Sequence, residues 1–419
     1  MIEWSETDLL MRDSVRTFID REIRPHLDEL ETGAMTPYPI LRKLFAEFGV
    51  DVMAAEAVKN MLDKERAKAA SIAAGEPRPE KTRSGGMGEI GAQASMGAII
   101  LAELAGVSLG LVAAVGVSLG LGAATIMSRG TLAQKERWLP ELMTLEKIAA
   151  WAITEPDAGS DAFGGMKTYV KRDGEDYLLN GQKTFITNGP DADTIVVYAK
   201  LDEGDGADKR DRKVLTFVLD AGMPGLTQGK AFKKMGMMSS PTGELFFDNV
   251  RLGKDRLLGE TEEHKGGDGR ESARASFAGE RVGVAILSLG IINECHRLSV
   301  DYAKGRKLWG QRIGDFQLIQ LKLAKMEVAR INVQNMVFQA LEGLQAGKLP
   351  SLSEASAVKL YSSEAATEVA MEAVQLFGGN GYMAEYRVEQ LARDAKSLMI
   401  YAGSNEIQVT HIAKGLLGK

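Results

Sequence analysis

The sequence predicts a mostly α protein with a central β domain: an N-terminal helical domain, a small antiparallel β domain and a C-terminal four-helix bundle. Three observations predict it. Apolar residues recur at helical spacing up to about residue 148. From Trp151 onward they give way to short β-rich runs divided by turn signals. From Glu280 onward, helical spacing returns in four long stretches. The expected domains are 1–148, 149–255 and 256–419.

Within the first domain, Ser5 followed by Asp8 resembles a capping box with Asp in place of Glu. Asn60 to Gly86 is polar, charged and Pro/Gly-bearing, and reads as a mobile insertion at about 60–90. Leu104 to Met127 carries no charge and is long enough to span a membrane. Its Gly, Ala and Ser content and lack of an aromatic belt favour helices buried in a helical core.

In the second domain the β-rich runs are YLLNGQKTFITNG, TIVVYAK, VLTFVLD and GELFFDNVRL. Asn180-Gly181, Asn188-Gly189-Pro190, Pro224-Gly225 and Asp248-Asn249 separate them. Asp202 to Lys213 is a hydrophilic hairpin tip, and Gly259 to Ser276 reads as a polar connector. The expected bundle helices are Glu280 to Lys304, Phe316 to Ala346, Ser353 to Phe377 and Val388 to Ile400.

Composition narrows the function. The chain of 419 residues is 45% hydrophobic and 26% charged, near the globular average. A net charge of −6 gives no electrostatic ground for a nucleic-acid or anionic-membrane partner. The single cysteine, Cys295, excludes an intramolecular disulfide. His26, His264, His296 and His411 are scattered, so no metal site is expected. Cys295 beside His296 reads as a packed helix pair. The acidic amphipathic N-terminus lacks signal-peptide features, which makes the cytoplasm the expected compartment. No G-x-G-x-x-G follows a strand, so a Rossmann cofactor site is not supported.

Five stretches occur in order: WAITEPDAGSD (Trp151 to Asp161), GQKTFITNG (Gly181 to Gly189), GRKLWGQRIGDFQ (Gly305 to Gln317), AVQLFGGNGY (Ala373 to Tyr382) and RDAKSLMIYAGSNEIQ (Arg393 to Gln408). Together they resemble the acyl-CoA dehydrogenase family of flavoenzymes, over nearly the whole chain. The resemblance implies FAD between the β domain and the bundle, with Trp151 to Ser160 along the isoalloxazine. Thr154 would hydrogen-bond the ring, and Ser160 would reach phosphate or pantetheine groups. Phe185, Ile186 and Thr187 would cover the opposite side. The family more often has Trp at position 185; Phe keeps the aromatic face but loses the indole N–H.

Arg306 would meet the FAD pyrophosphate. Trp309, Phe316 and Gln317 match adenosine-side contacts. In the family these come from a neighbouring subunit, as do Gln375, Leu376, Gly378 and Gly379. A homodimer or homotetramer is therefore implied. Ser404 and Glu406 match flavin-contacting positions after the last helix junction. Glu385 and Asp394 lie among opposite charges and read as ion-paired, and Glu155 reads as structural.

The implied chemistry is oxidation of an acyl-CoA to its trans-2-enoyl-CoA, with electron-transfer flavoprotein as acceptor. A base takes the α-proton, a hydride leaves the β-carbon for the flavin, and hydrogen bonds polarise the thioester carbonyl. The family's usual glutamate position is Ala402 here, which cannot accept a proton but keeps its backbone N–H. A minority of the family, similar to isovaleryl-CoA and long-chain acyl-CoA dehydrogenases, carries the glutamate on the first bundle helix. FAGERVGVA (Phe277 to Ala285) matches that stretch and points to Glu280 as the base. A first-turn acid complementing the helix dipole is the bland reading of Glu280. Arg281, with Ser160, Ala402 and Gly403, would contact the substrate. The competing readings are a dehydrogenase of carrier-protein-linked or unusual acyl groups, and an inactive flavin-binding homologue.

Overall fold

The computed structural model describes residues 3–74, 87–206, 208–263, 267–348 and 350–418. Among the described residues, eight α-helices precede the sheet. They are α1 (Glu6–Phe18), α2 (Leu27–Thr32), α3 (Tyr38–Glu47), α4 (Val50–Ala73), α5 (Met87–Ala105), α6 (Leu109–Val115), α7 (Ala124–Arg129) and α8 (Leu132–Met143). The expected capping box starts α1: Ser5 Oγ accepts from Asp8 N–H and Asp8 Oδ2 accepts from Ser5 N–H, each at 3.1 Å.

The polar stretch from Asn60 is helical rather than mobile as far as Ala73. Val58 and Leu62, one turn apart on α4, are buried against Trp138 and Leu139 of α8, and that apolar stripe holds the helix. The rest of the expected insertion, 75–86, lies outside the described residues. The uncharged stretch from Leu104 is core. It closes α5 and continues through α6, a π-helical segment (Gly116–Ala123) and α7, with Leu109, Leu111 and Ile126 fully buried.

A seven-stranded sheet follows: β1 (Ala149–Ala152), β2 (Tyr169–Asp173), β3 (Asp176–Thr187), β4 (Thr194–Leu201), β5 (Val214–Asp220), β6 (Leu226–Gln228) and β7 (Thr242–Leu252). It is mixed rather than purely antiparallel. β5 runs antiparallel along one edge of β4, and β1 and β2 pair parallel with β4. The chain enters and leaves this region through long connections, which permits parallel pairing. All eight residues of β4 are buried, because its two faces meet different cores. Ile195, Val197 and Ala199 join the interior of the curled sheet; Val196 and Tyr198 meet α4 and α8.

The C-terminal region contains α9 (Gly269–Gly305), a two-residue hairpin of β8 (Lys307–Leu308) and β9 (Gln311–Arg312), α10 (Gln317–Gln345), α11 (Leu352–Phe377), α12 (Val388–Leu398) and α13 (Asn405–Leu416). The four expected helices are present, and α13 adds a fifth that packs on α11. α9 begins at Gly269, inside the expected polar connector. Leu289, Ile291 and Ile292 of α9 share one core with the N-terminal helices and with Ala366 and Ala370 of α11.

Candidate active site

The junction between α12 and α13 is built on two left-handed residues, Ala402 (φ 56°) and Gly403 (φ 80°). For Ala this conformation costs on the order of 1–2 kcal/mol, so surrounding bonds must hold it. Tyr401 N–H donates to Ser397 O at 3.1 Å, and Asn405 N–H reaches back to Met399 O at 3.0 Å. Gln408 Nε2 donates to the carbonyls of Ala402 (3.1 Å) and Gly403 (2.7 Å). Among the described residues the Ala402 N–H has no acceptor. It is a free main-chain donor beside a break in the helix.

Glu280 of α9 lies close enough to the junction for its charge to act on Tyr401. It lies three turns into that helix, so it is not a first-turn acid and the dipole reading falls. Burial pushes its carboxyl up to about 7, against the opposing pull of Arg281 and Lys359. Arg281 is buried, donates to Ser356 Oγ at 3.1 Å, and lies over the Phe277 ring at 5.8 Å. A Cβ on Gly403 would stand 3.8 Å from Arg281 Nη2. Tyr401 is pushed well up by burial and by the charges of Glu280 and Asp394, and its hydroxyl is buried with no partner among the described residues. Lys359 of α11 is fully buried and donates to the Gly403 carbonyl at 2.9 Å. α9, α11 and the junction therefore bring together Glu280, the cations Arg281 and Lys359, and the Ala402 N–H.

The β domain presents a second surface. The ladder between β3 and β7 shifts between Lys183 and Ile186. This bulge releases Thr184 N–H to bond Thr154 O at 2.9 Å and turns Phe185 outward at φ 56°. Phe185 is 67% exposed and touches Phe232 at 5.9 Å between ring centroids. Thr154 and Thr187 are half-buried and Ser160 is exposed. The indole Nε1 of Trp151 is buried with no partner among the described residues. Ile186 departs from expectation: its side chain is in the sheet interior, because alternation along β3 points it inward.

A third group lies at the far end of the bundle. Trp309 (φ 49°) and Gly310 (φ 82°) form the tip between β8 and β9, leaving the indole 89% exposed. Phe316 packs edge-on to Trp309 at 5.8 Å and against the core. Arg306 and Gln317 are exposed, and among the described residues the Arg306 guanidinium has no ion pair. Gln375, Gly378 and Gly379 are exposed, and a Cβ at either glycine would meet nothing within 4 Å. Leu376 instead faces the core. Among the described residues, no hydrogen bond or ring contact joins this group to Trp151–Ser160 or to Phe185–Thr187.

Glu155 is structural, as expected: it pairs with buried Lys183 and accepts from the N–H groups of Lys167 and Thr168. Among the described residues Asp394 makes no ion pair. It is fully buried, accepts from Met237 N–H at 2.5 Å, and burial pushes it up to about 7. Glu385 is exposed and makes no ion pair among the described residues. Glu406 is exposed, and a hydrogen bond from Ser404 holds its carboxyl below the usual range. Cys295 is buried in α9, and the neighbouring His296 turns away to Glu327 at 3.2 Å.

Three family descriptions match the chain in succession. They are the acyl-CoA dehydrogenase N-terminal domain over residues 79–146, middle domain over 150–250 and C-terminal domain over 267–417. An acyl-CoA dehydrogenase of Bacillus subtilis (strain 168) is 34% identical, covering 99% of both chains. The chain belongs to the acyl-CoA dehydrogenase family. A second relative, the caffeyl-CoA reductase-Etf complex subunit CarC of Acetobacterium woodii, is 33% identical over 99% of this chain and 100% of its own. A solved structure of a glutaryl-CoA dehydrogenase from Mycobacterium smegmatis in complex with FADH2 superposes with a TM-score of 0.82. It is 26% identical and covers 99% of this chain and 96% of that one.

Members of the family are FAD-dependent oxidoreductases acting on acyl-CoA thioesters. This chain's residues fit FAD. An unpartnered indole N–H, an outward aromatic ring, an unpaired guanidinium and two open glycines are the donors, cover and close approach that a dinucleotide needs.

Sequence reasoning missed Lys359 and Lys183. Lys359 had a legible signal. Ala355, Lys359, Ser362, Ala366 and Val369 recur at helical spacing, so the lysine interrupts a stripe of small core residues.

Proposed function

We propose that the protein oxidises an acyl-CoA to the trans-2-enoyl-CoA with Glu280 as the base. The observation that carries this reading is the meeting of a glutamate on α9, whose charge acts on Tyr401, with the neighbouring Ala402 N–H, which has no acceptor among the described residues. Glu280 takes the α-proton, and its raised pKa suits transfer near neutral pH. The Ala402 N–H donates to the thioester carbonyl as negative charge develops there. FAD supplies the acceptor for the hydride leaving the β-carbon. The α-proton, the β-hydride and the new C=C bond account for all atoms and electrons. Arg281 would contact the CoA portion of the substrate or order the helix, and its bond to Ser356 Oγ supports the second role.

Trp151, Thr154, Ser160, Phe185 and Thr187 would hold the flavin end of FAD, with Ser404 and Glu406 beside it. Arg306, Trp309, Phe316, Gln317, Gln375, Gly378 and Gly379 would hold the adenosine end of a neighbouring subunit's FAD. The lack of contact between the two groups within one chain supports that division. Leu318, Leu321 and Val328 add an exposed apolar face on α10, which supports assembly into a homodimer or homotetramer.

Electron-transfer flavoprotein is the proposed electron partner, supported by the Etf-complex relative. The same residues would serve reduction of an enoyl-CoA, the direction named for that relative; the potential of the electron partner selects between them.

An anaerobic screen of straight and branched acyl-CoAs tests the reading. The yellow, FAD-loaded protein should bleach with at least one substrate, and Glu280→Gln should retain FAD without bleaching. A Glu280→Gln variant that bleaches at the native rate removes Glu280 as base. A loaded wild type that bleaches with no acyl-CoA favours the inactive homologue.

A further inference from the structure

Lys359 lies in the middle of α11 with its side chain fully buried. Its ammonium donates to the Gly403 carbonyl at 2.9 Å and to Asn405 Oδ1 at 2.8 Å. Ser363 Oγ secures the same Asn405 oxygen at 3.2 Å. An ammonium has donors only, and a buried one must be satisfied by acceptors held in place. The acceptors here are the backbone just after Ala402 and the first residue of α13. The Gly403 carbonyl is thus gripped twice, by Lys359 from α11 and by Gln408 from α13.

This grip acts on the free N–H. The chain before Ala402 is tied by Tyr401 N–H to Ser397 O. The chain after it is tied through the Ala402 and Gly403 carbonyls. Ala402 between these ties cannot relax from its left-handed conformation into the right-handed region that alanine prefers. Losing Lys359 leaves Gln408 as the one side chain holding the Ala402 and Gly403 carbonyls, so the backbone after Ala402 gains freedom and rotation about φ of Ala402 can turn its N–H away. No substrate needs to touch Lys359 for it to matter.

We propose that Lys359 is a positioning residue for the reaction: it clamps the Gly403 carbonyl so that the Ala402 N–H stays available to the thioester carbonyl, and it presents a buried positive charge to Glu280. This rests on the reading of Glu280 as base and the Ala402 N–H as donor. Among the described residues, the charged and titratable groups that act on Glu280 or feel its charge are Arg281 on its own helix, Lys359 on α11 and Tyr401 at the junction. Lys359 itself also faces Glu364 and Glu406. Removing the lysine leaves Arg281 as the one cation acting on Glu280 among these groups.

Two variants of the FAD-loaded enzyme separate the clamp from the charge. Lys359→Met removes both, and Lys359→Gln keeps a neutral donor. The first readout is the infrared frequency of the thioester carbonyl of a bound acyl-CoA that has no α-hydrogen. It reports the hydrogen bond without any proton transfer. The second is the pH dependence of kcat/KM.

Lys359→Met should move the carbonyl frequency towards its solution value, lower kcat about 100-fold with a smaller change in KM, and shift the acid limb to higher pH. Lys359→Gln should keep a near-native carbonyl frequency but show the shifted acid limb. A native carbonyl frequency and rate in Lys359→Met overturn the clamp. A native acid limb in Lys359→Gln overturns the charge, and that variant decides the point if Lys359→Met does not fold. An active Glu280→Gln enzyme would remove the base reading, while the carbonyl frequency would still decide the clamp.

Discussion

Lys183 Nζ lies 2.8 Å from Glu155 Oε1, and neither side chain reaches solvent. The pair ties β3 to the loop after β1, the two segments that carry Phe185 and Thr154. Lys183 also donates to the Ile153 carbonyl at 2.9 Å. Burial pulls Lys183 down to about 8 despite the carboxylate, while the lysine holds Glu155 below its usual range. Breaking such a pair leaves one uncompensated buried charge and costs on the order of 3–5 kcal/mol. Lys183→Met should therefore lower stability by about that amount and release FAD, read by denaturant titration and by flavin absorbance after gel filtration. Stable, fully flavinylated Lys183→Met would show that the pair does not hold the loop.

With Glu280 in its proposed role as base, its carboxyl, pushed up to about 7 by burial, would set the acid side of the rate profile. kcat/KM should rise with pH to an inflection near about 7, because only the ionised form accepts the α-proton. An inflection near the ordinary glutamate value would place Glu280 in solvent and out of this role.

The same shift has a consequence for stability. Glu280 and Asp394 both have folded values of about 7, above the ordinary 4.5 and 3.8. Between those limits the folded chain binds more protons than the unfolded chain. Their contribution is fully present below about pH 4 and is lost as pH rises through about 7. Glu280→Gln has no carboxyl to ionise. Relative to wild type it should gain stability on going from pH 5 to pH 8, by up to about 3 kcal/mol. Parallel pH–stability curves for the two proteins would count against burial of the carboxylate.

Gly290 of α9 is a test of close helix packing. A Cβ there would stand 2.1 Å from the Ala102 carbonyl of α5. Gly290→Ala must push α5 and α9 apart and should cost about 1–3 kcal/mol. Gly279, on the same helix, has open space at its Cβ. Gly279→Ala should be neutral or slightly stabilising, since alanine favours helix. Equal thermal midpoints for the two variants would contradict the packing.

Moving the acid tests the shape of the cavity. Ala402→Glu in the Glu280→Gln background should restore part of the bleaching, as the proposed sharing of one cavity by the two positions requires. The left-handed backbone at 402 already accepts a Cβ, so the added strain is small. No recovery in a folded, flavin-loaded double variant would place the two positions in separate spaces.

The sequence by itself determined the order of helices, strands and helices, the capping box at Ser5, and the hairpin between TIVVYAK and VLTFVLD. Through its resemblance to the family it also pointed to Glu280, with alanine at 402 in place of the usual glutamate. These are local features, written in the period of apolar residues or in short motifs. Tertiary structure decided the parallel pairing of β1 and β2 with β4, the start of α9 at Gly269, and the inward turns of Ile186 and Leu376. It also decided the burial of Lys183 and Lys359. Their partners are distant along the chain: 28 residues separate Lys183 from Glu155, and 44 separate Lys359 from Gly403. A lysine's local pattern favours the surface. Only acceptors brought in by the fold can keep it inside.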